Sequence, residues 1–257
     1  MGRVIGIISG KGGVGKTTIA LNLGLALNRL GENTIVVDGD MKNPNVGLYL
    51  GVYNPALSIV DVLKRDADLT EAQYMHSSGL KIIPTSLYES FNVGLTRLRD
   101  LFDNLEGYII LDFSPGLGRD TMSLLEICDE SLIITNPNIP SVASTMKLIN
   151  IIRGQGKNVL GVVINMSGRS YEISREDIEL VCNAPILSQI PEDENIRKSA
   201  MLKTPVLDYK PYSKASVKLM ELAAKISGKY YKPPRFLAIR KMLSANGHTA
   251  IHPINKF

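Results

Sequence analysis

Residues Gly10 to Thr17 read GKGGVGKT, and this stretch decides how the rest of the chain is read. Gly10, Gly15, Lys16 and Thr17 occupy every fixed position of the pattern G-x-x-x-x-G-K-[ST]. An apolar run of strand length, Val4–Ile8, precedes the stretch, and an amphipathic helical run, Thr18–Leu30, follows it. Glycines let a backbone turn its N–H groups inward, and a helix start adds the positive end of a dipole. Strand, loop and helix together predict a cradle for the phosphates of a nucleotide. Gly12, Gly13, Val14, Gly15, Lys16, Thr17 and Thr18 surround that cradle. In such loops the lysine, here Lys16, reaches the β- and γ-phosphates, and the hydroxyl, here Thr17, faces Mg2+. A chance glycine-rich loop is the bland alternative, and the flanking strand and helix argue against it.

Outward from the loop, apolar runs of strand length recur at Thr34–Val37, Leu80–Ile83, Tyr108–Leu111, Ser131–Ile134, Val159–Ile164 and Ile186–Gln189. Segments with helical periodicity lie between most of them, such as Leu95–Leu105 and Ser141–Ile152. The alternation predicts an α/β chain with the three-layer P-loop NTPase fold. Its mainly parallel sheet of about seven or eight strands carries helices on both faces. Ligands of such sheets bind beyond the carboxyl ends of the strands, so the residues closing each run are candidate ligands.

The second run closes on Asp38-Gly39-Asp40. Carboxylates two residues apart point the same way on a strand. Beside a nucleotide they can hold Mg2+-linked water or orient an attacking water; paired turn aspartates are the alternative. The fourth run closes on Asp112 in YIILDFSPGLG, a carboxylate placed to stabilise Mg2+, and Gly116 lets the next loop approach the γ-phosphate. The sixth run closes on Asn165 in GVVINMSGR; a side-chain amide both donates and accepts, and a turn-forming Asn is the alternative. His76 is expected at the surface.

A length of 257 residues suits one α/β domain with a substantial core. No run of 18 apolar residues occurs, so no transmembrane helix is expected. Strand and loop begin at Val4, so no signal peptide is expected either, and the chain reads as cytoplasmic. Cys128 and Cys182 lack a CxxC partner and are expected as buried, reduced thiols. The net charge of +4 is uneven: residues 1–228 carry 23 Lys and Arg against 25 Asp and Glu, whereas 229–257 carry six bases and no acid. The boundary at 228 therefore separates the α/β body from a basic tail.

With Lys11 directly after the first glycine, GKGGVGKT resembles the deviant Walker A loop of the MinD/ParA family of dimerising ATPases, and MinD-like archaeal and bacterial members most. The resemblance covers roughly residues 3–228. It is carried also by Asp38-x-Asp40, by GLYLG at 47–51, by TNP at 135–137 with Ser141-Val142, by GVVxN ending at Asn165, and by IPEDENIRKSAMLKTPV at 190–206. It implies ATP as substrate, ADP as product, Mg2+ as cofactor and an ATP-dependent homodimer. In such a dimer Lys11 reaches the phosphates bound by the partner subunit. It implies catalytic roles for Lys11, Lys16 and Asp40, with Asp40 positioning the attacking water and Asp38 supporting it. Metal contacts fall to Thr17, Asp40 and Asp112. The resemblance also has Asn165 read the adenine edge, Pro191 and the backbone around Asp193 wall the base, and Arg197 cap or pair structurally.

Hydrolysis is expected to be slow until an unidentified activating protein arrives, in the service of spatial positioning such as placement of a division site. Two departures stand out. The usual D-[ST]-P-[AP]-G becomes Asp112-Phe-Ser-Pro115-Gly116, with proline one place late. Asn138 and Ser144 stand where relatives often carry acids, so a resting partner for Lys11 is missing or replaced.

In the tail, residues 235–244 form an imperfect amphipathic helical pattern, with Phe236, Ile239, Met242 and Leu243 on one arc. Its placement is similar to the membrane-targeting helix of MinD proteins, which implies reversible association with the cytoplasmic face of an anionic membrane. Burying four large apolar side chains yields roughly 6–10 kcal/mol. Ordering the segment at ~1 kcal/mol per residue removes most of it. Two tails on a dimer gain roughly 10²–10⁴ in avidity, so ATP can control attachment. Packing on the body and binding of nucleic acid are alternatives. DNA is the partner under a rival ParA-type reading, although the body is net negative. A metal or iron–sulfur carrier needs paired cysteines, which Cys128 and Cys182 do not form. A bacterial tyrosine-kinase domain needs more tyrosines than Tyr230 and Tyr231.

Overall fold

The computed structural model describes residues 2–64, 67–86, 97–116 and 118–233. Eight strands occur among them: β1 (Arg3–Ile8), β2 (Thr34–Asp38), β3 (Tyr74–Met75), β4 (Lys81–Ile83), β5 (Tyr108–Asp112), β6 (Glu130–Thr135), β7 (Asn158–Ser167) and β8 (Ile186–Pro191). They form one sheet in the order β3-β4-β2-β5-β1-β6-β7-β8, parallel throughout except for β3. Helices α1 (Lys16–Arg29), α2 (Val46–Tyr49), α3 (Ile59–Lys64), α4 (Leu98–Asp103), α5 (Arg119–Ile127), α6 (Ile139–Gly154), α7 (Arg175–Cys182), α8 (Glu194–Met201), α9 (Val206–Tyr209) and α10 (Lys214–Ser227) connect and cover it.

Side-chain alternation along the strands supplies both faces. On β1, Ile5 and Ile7 join an apolar cluster with Ile19, Leu23 and Leu27 of α1 and Leu219 and Leu222 of α10. Val4 and Ile8 point into a second cluster with Phe102 of α4, Leu124 of α5, Leu148 and Ile152 of α6 and Ile178 of α7. A sheet buried on both faces needs strands that are apolar at nearly every position, and RVIGII and TIVVD are such strands.

Register then places the site. Ile7 of β1 and Asp38 of β2 both stand opposite Asp112 of β5, so three strands end side by side. The loop leaving β1 opens at that edge, and β1 lies between β5 and β6, where the chain order reverses, the usual ligand-binding crevice of open α/β sheets.

All seven expected runs fall in strands. The eighth, β3, is two residues long and pairs antiparallel with β4 through Tyr74 opposite Ile82. It has no periodicity to read; the tight turn at His76–Gly79, closed by Gly79 N to His76 O at 2.9 Å, creates it. His76 is half-buried rather than superficial, with its ring nitrogens on Ser78 Oγ (2.8 Å) and Lys203 O (3.0 Å). The helix expected over Leu95–Leu105 is seen as α4. The helix at 235–244, with Phe236, Ile239, Met242 and Leu243, lies outside the described residues. Cys128 and Cys182 are free, buried thiols, and burial pushes the pKa of each upward, which favours the protonated thiol. Among the described residues, no helix is long and apolar enough to cross a membrane.

Candidate functional site

The loop after β1 turns at Gly13 (φ 76°) and Gly15 (φ 93°). A side chain in the left-handed region costs about 1–2 kcal/mol, which glycine avoids. Gly15 caps α1, its carbonyl accepting from Ile19 N at 3.0 Å. Gly10 is required by close approach: a Cβ there would fall 2.6 Å from the Ser144 carbonyl oxygen in α6. Gly12 and Gly13 are exposed, Val14 is buried, and Thr18 is half-buried with its carbonyl accepting from Asn22 Nδ2 at 2.8 Å.

The two lysines of the loop differ. Lys16 is 8% exposed; burial lowers its pKa, opposed by the nearby charges of Asp112 and Asp40. Lys11 is exposed, and among the described residues its ammonium has no hydrogen bond or ion pair. The two positions that relatives often fill with acids are engaged elsewhere. Asn138 caps α6 by accepting from Ser141 N at 3.1 Å, and Ser144 Oγ donates back to Pro140 O at 2.8 Å.

Thr17 Oγ1 donates to Asp112 Oδ2 at 2.5 Å. The other oxygen, Asp112 Oδ1, is buried with no hydrogen-bond partner among the described residues. Burial pushes the Asp112 carboxyl up to about 7, against the Thr17 hydrogen bond and the charge of Lys16, which pull it down. A buried acceptor without a donor costs about 1–3 kcal/mol. An open carboxylate oxygen beside a threonine hydroxyl is the donor set that Mg2+ takes, and Mg2+ uses one or two protein oxygens and leaves the rest to phosphate and water. The residues fit that ion.

Asp38 is filled instead. Its Oδ1 accepts from Asp40 N (3.1 Å), and its Oδ2 accepts from Asn45 N (2.9 Å) and Val46 N (3.0 Å). Burial nevertheless drives its pKa well above the usual carboxylate range, and the charge of Asp112 adds to this. Asp38 thus holds the loop that carries Asp40, which is 4% exposed and accepts from Asn43 N at 3.0 Å.

The loop after β5 is tied to the first loop. Gly116 (φ 87°) donates its N–H to Ser9 O at 3.0 Å, and Ser9 Oγ donates to Lys11 O at 2.7 Å. Pro115 sits over the loop, 3.8 Å from where a Gly12 Cβ would stand. Ser9 was not legible as a site residue, nor was Asn136, whose Nδ2 donates to Asn165 O at 3.0 Å. Both are polar groups at or just past strand ends, and the rule that singled out the aspartates points to them as well.

Asn165 is 2% exposed and touches the first loop directly: its Nδ2 donates to Val14 O at 2.7 Å, and its Oδ1 is buried without a partner among the described residues. Pro191 ends β8 and borders a cavity of about 310 Å3 with Ser167 and Arg175. Asp193 borders another of about 400 Å3 with Asn195, Lys210 and Tyr212. The Asp193 carboxylate caps α8, accepting from Asn195 N at 3.0 Å. Arg197 pairs with Glu192 at 2.6 Å, as its structural reading implied.

Fold and loop together place the chain among P-loop nucleotide-binding proteins. Residues 5–206 match the family described as the CobQ/CobB/MinD/ParA nucleotide binding domain, and the chain belongs to it. An uncharacterized ATP-binding protein of Methanocaldococcus jannaschii is 35% identical over 232 residues, 88% of each chain. The septum site-determining protein MinD of Thermotoga maritima is 29% identical over 243 residues, 89% of each chain. Among solved structures, MinD of Pyrococcus horikoshii, complexed with Mg-ADP, superposes with a TM-score of 0.82 at 34% identity, covering 88% of this chain and 96% of that one.

Proposed function

We propose that the chain is a Mg-ATP-dependent ATPase of MinD type. ATP drives its dimerisation, and the cycle governs reversible attachment to the cytoplasmic face of an anionic membrane in the positioning of cell structures. The observation that carries this reading is the contrast between the two loop lysines. Lys16 is held inside beside Asp112 and Asp40, whereas Lys11, five residues earlier, is exposed and unpaired among the described residues. A cation at the rim of the cradle is available to the phosphates of a second copy.

Each residue then has a task. Backbone N–H groups of Gly12–Thr17 bind the phosphates, and Lys16 neutralises charge on the β/γ bridge. Thr17 and Asp112 would hold Mg2+, which when bound neutralises charge on the phosphates. Asp40, set by Asp38, orients the attacking water. Asn165, with Pro191 and the backbone around Asp193, faces the base. Gly116 lets the second loop respond to the γ-phosphate. Lys11 from the partner completes the charge, so binding and dimerisation are one event, and an activating protein is expected to set the rate. The MinD relatives and the basic, apolar segment with Phe236, Ile239, Met242 and Leu243 support the membrane half.

The test is co-sedimentation of the full chain with anionic vesicles in Mg-ATP and in Mg-ADP, beside the variant Phe236→Glu. Attachment in ATP alone, lost in the variant, is expected. Attachment indifferent to nucleotide and to Phe236 would sink the membrane reading. A salt-sensitive shift of DNA in its place would move the chain to the ParA-type role.

A further inference from the structure

The base-facing and phosphate-facing halves of the site meet in one side chain. We propose that Asn165 is a latch: a positioning residue that holds the phosphate loop in its binding shape and is itself tightened by the base. This rests on the nucleotide reading above and goes beyond base recognition. Three observations carry it. Asn165 Nδ2 donates to Val14 O at 2.7 Å, inside the loop, and lies only 2.4 Å from where a Cβ at Gly15 would stand. The same amide's Oδ1 is buried with no hydrogen-bond partner among the described residues. The backbone that aims this amide is irregular: the register of β7 against β8 shifts between Ile164 and Ser167, and Met166 holds a φ of 56°. Bulges re-aim side chains, and a non-glycine residue in the left-handed region persists only where its surroundings fix it. Asn136 supplies part of that fixing through Asn165 O at 3.0 Å.

The chemistry follows from the amide's two ends. One of the two Nδ2 hydrogens is committed to Val14 and Oδ1 stands open, and the complement of that open acceptor on a base is a hydrogen-bond donor such as an exocyclic amine. A base that donates to Oδ1 fixes the amide plane and with it the Val14 carbonyl. That carbonyl precedes Gly15 and Lys16, so occupancy of the base side orders the N–H groups of the phosphate side. Energy travels through two hydrogen bonds on one planar group.

The experiment separates latch from reader by using a ligand with no base. Binding of inorganic triphosphate and of ATP, each with Mg2+, is measured by calorimetry for the unaltered chain, Asn165→Ala and the isosteric Asn165→Asp, with folding checked by thermal unfolding. The latch predicts that both variants weaken triphosphate binding about tenfold, the value of one net hydrogen bond. A loss confined to ATP, with triphosphate binding unchanged, overturns the latch and leaves Asn165 a base reader. If the unaltered chain binds neither ligand, the nucleotide reading itself has failed. Should both variants misfold, hydrogen exchange on the unaltered chain decides. Adenosine, which has no phosphate, is expected to slow exchange of amides in Gly13–Lys16, and unchanged exchange at saturating adenosine contradicts the latch.

Discussion

Asp38 and Asp112 stand opposite each other on neighbouring strands, at the same depth, and both are fully buried. Burial raises the pKa of each. They differ in what their own chain gives them. Asp38 receives three backbone N–H groups from the loop it anchors, whereas among the described residues Asp112 receives one hydroxyl and keeps an oxygen open. The β2 end is a finished piece of structure; the β5 end is unfinished until a ligand arrives. A carboxylate that the fold could satisfy but does not is a functional group held at a cost to stability.

Removing the open carboxylate should have the largest effect on binding. Asp112→Asn is expected to lower Mg2+-dependent nucleotide affinity about 10- to 100-fold by calorimetry. The same group sets a pH dependence of the ligand-free chain. Its pKa rises from the ordinary 3.8 to about 7 on folding, so between those values the folded chain keeps a proton that the unfolded chain has lost. Its contribution to stability is therefore fully present below about pH 4 and is lost as pH rises to 7. Urea unfolding should show the ligand-free chain less stable at pH 8 than at pH 5, and Asp112→Asn should reduce the difference. Asp38 is shifted the same way and adds to the trend. A chain more stable at pH 8 would break the comparison between the two strand ends.

Asp38→Ala sharpens the comparison from the other side. It strips three N–H groups of their acceptor, and a loss of about 1–3 kcal/mol in folding stability is expected from urea unfolding. Nucleotide binding should weaken only through the loosened Asp40 loop. A variant as stable as the unaltered chain would show that the three hydrogen bonds do not hold that loop.

What was legible in the sequence follows the same division. The phosphate cradle is local: Gly10–Thr17 carries its own geometry in its glycines, and the strand and helix beside it are set by their own periodicity. Asp38, Asp112 and Asn165 were found because strand ends are where such sheets bind ligands. How the chain fills one of the two aspartates and leaves the other open was not legible. It depends on which backbone groups the Asn43–Val46 loop turns back toward Asp38, and short loops have no periodicity to read. Nor could the sequence show that Asn165 gives one of its N–H hydrogens to Val14, a contact between residues 151 positions apart. The two-residue β3 was missed for want of any pattern, and Gly10 was read only as a fixed position of the loop pattern, with no sign that α6 leaves it no room for a side chain.

The smallest expected effect on the isolated subunit belongs to Lys11. Exposed and unpaired among the described residues, it should change folding stability by no more than about 0.5 kcal/mol when replaced by alanine. Its role lies in the pair. Sedimentation velocity of the full chain in Mg-ATP and in Mg-ADP, with and without Lys11→Ala, tests the account most directly. The unaltered chain should sediment as a dimer in Mg-ATP and as a monomer in Mg-ADP, and Lys11→Ala should stay monomeric while still binding nucleotide. A dimer that forms equally well without Lys11, or regardless of which nucleotide is bound, would contradict it.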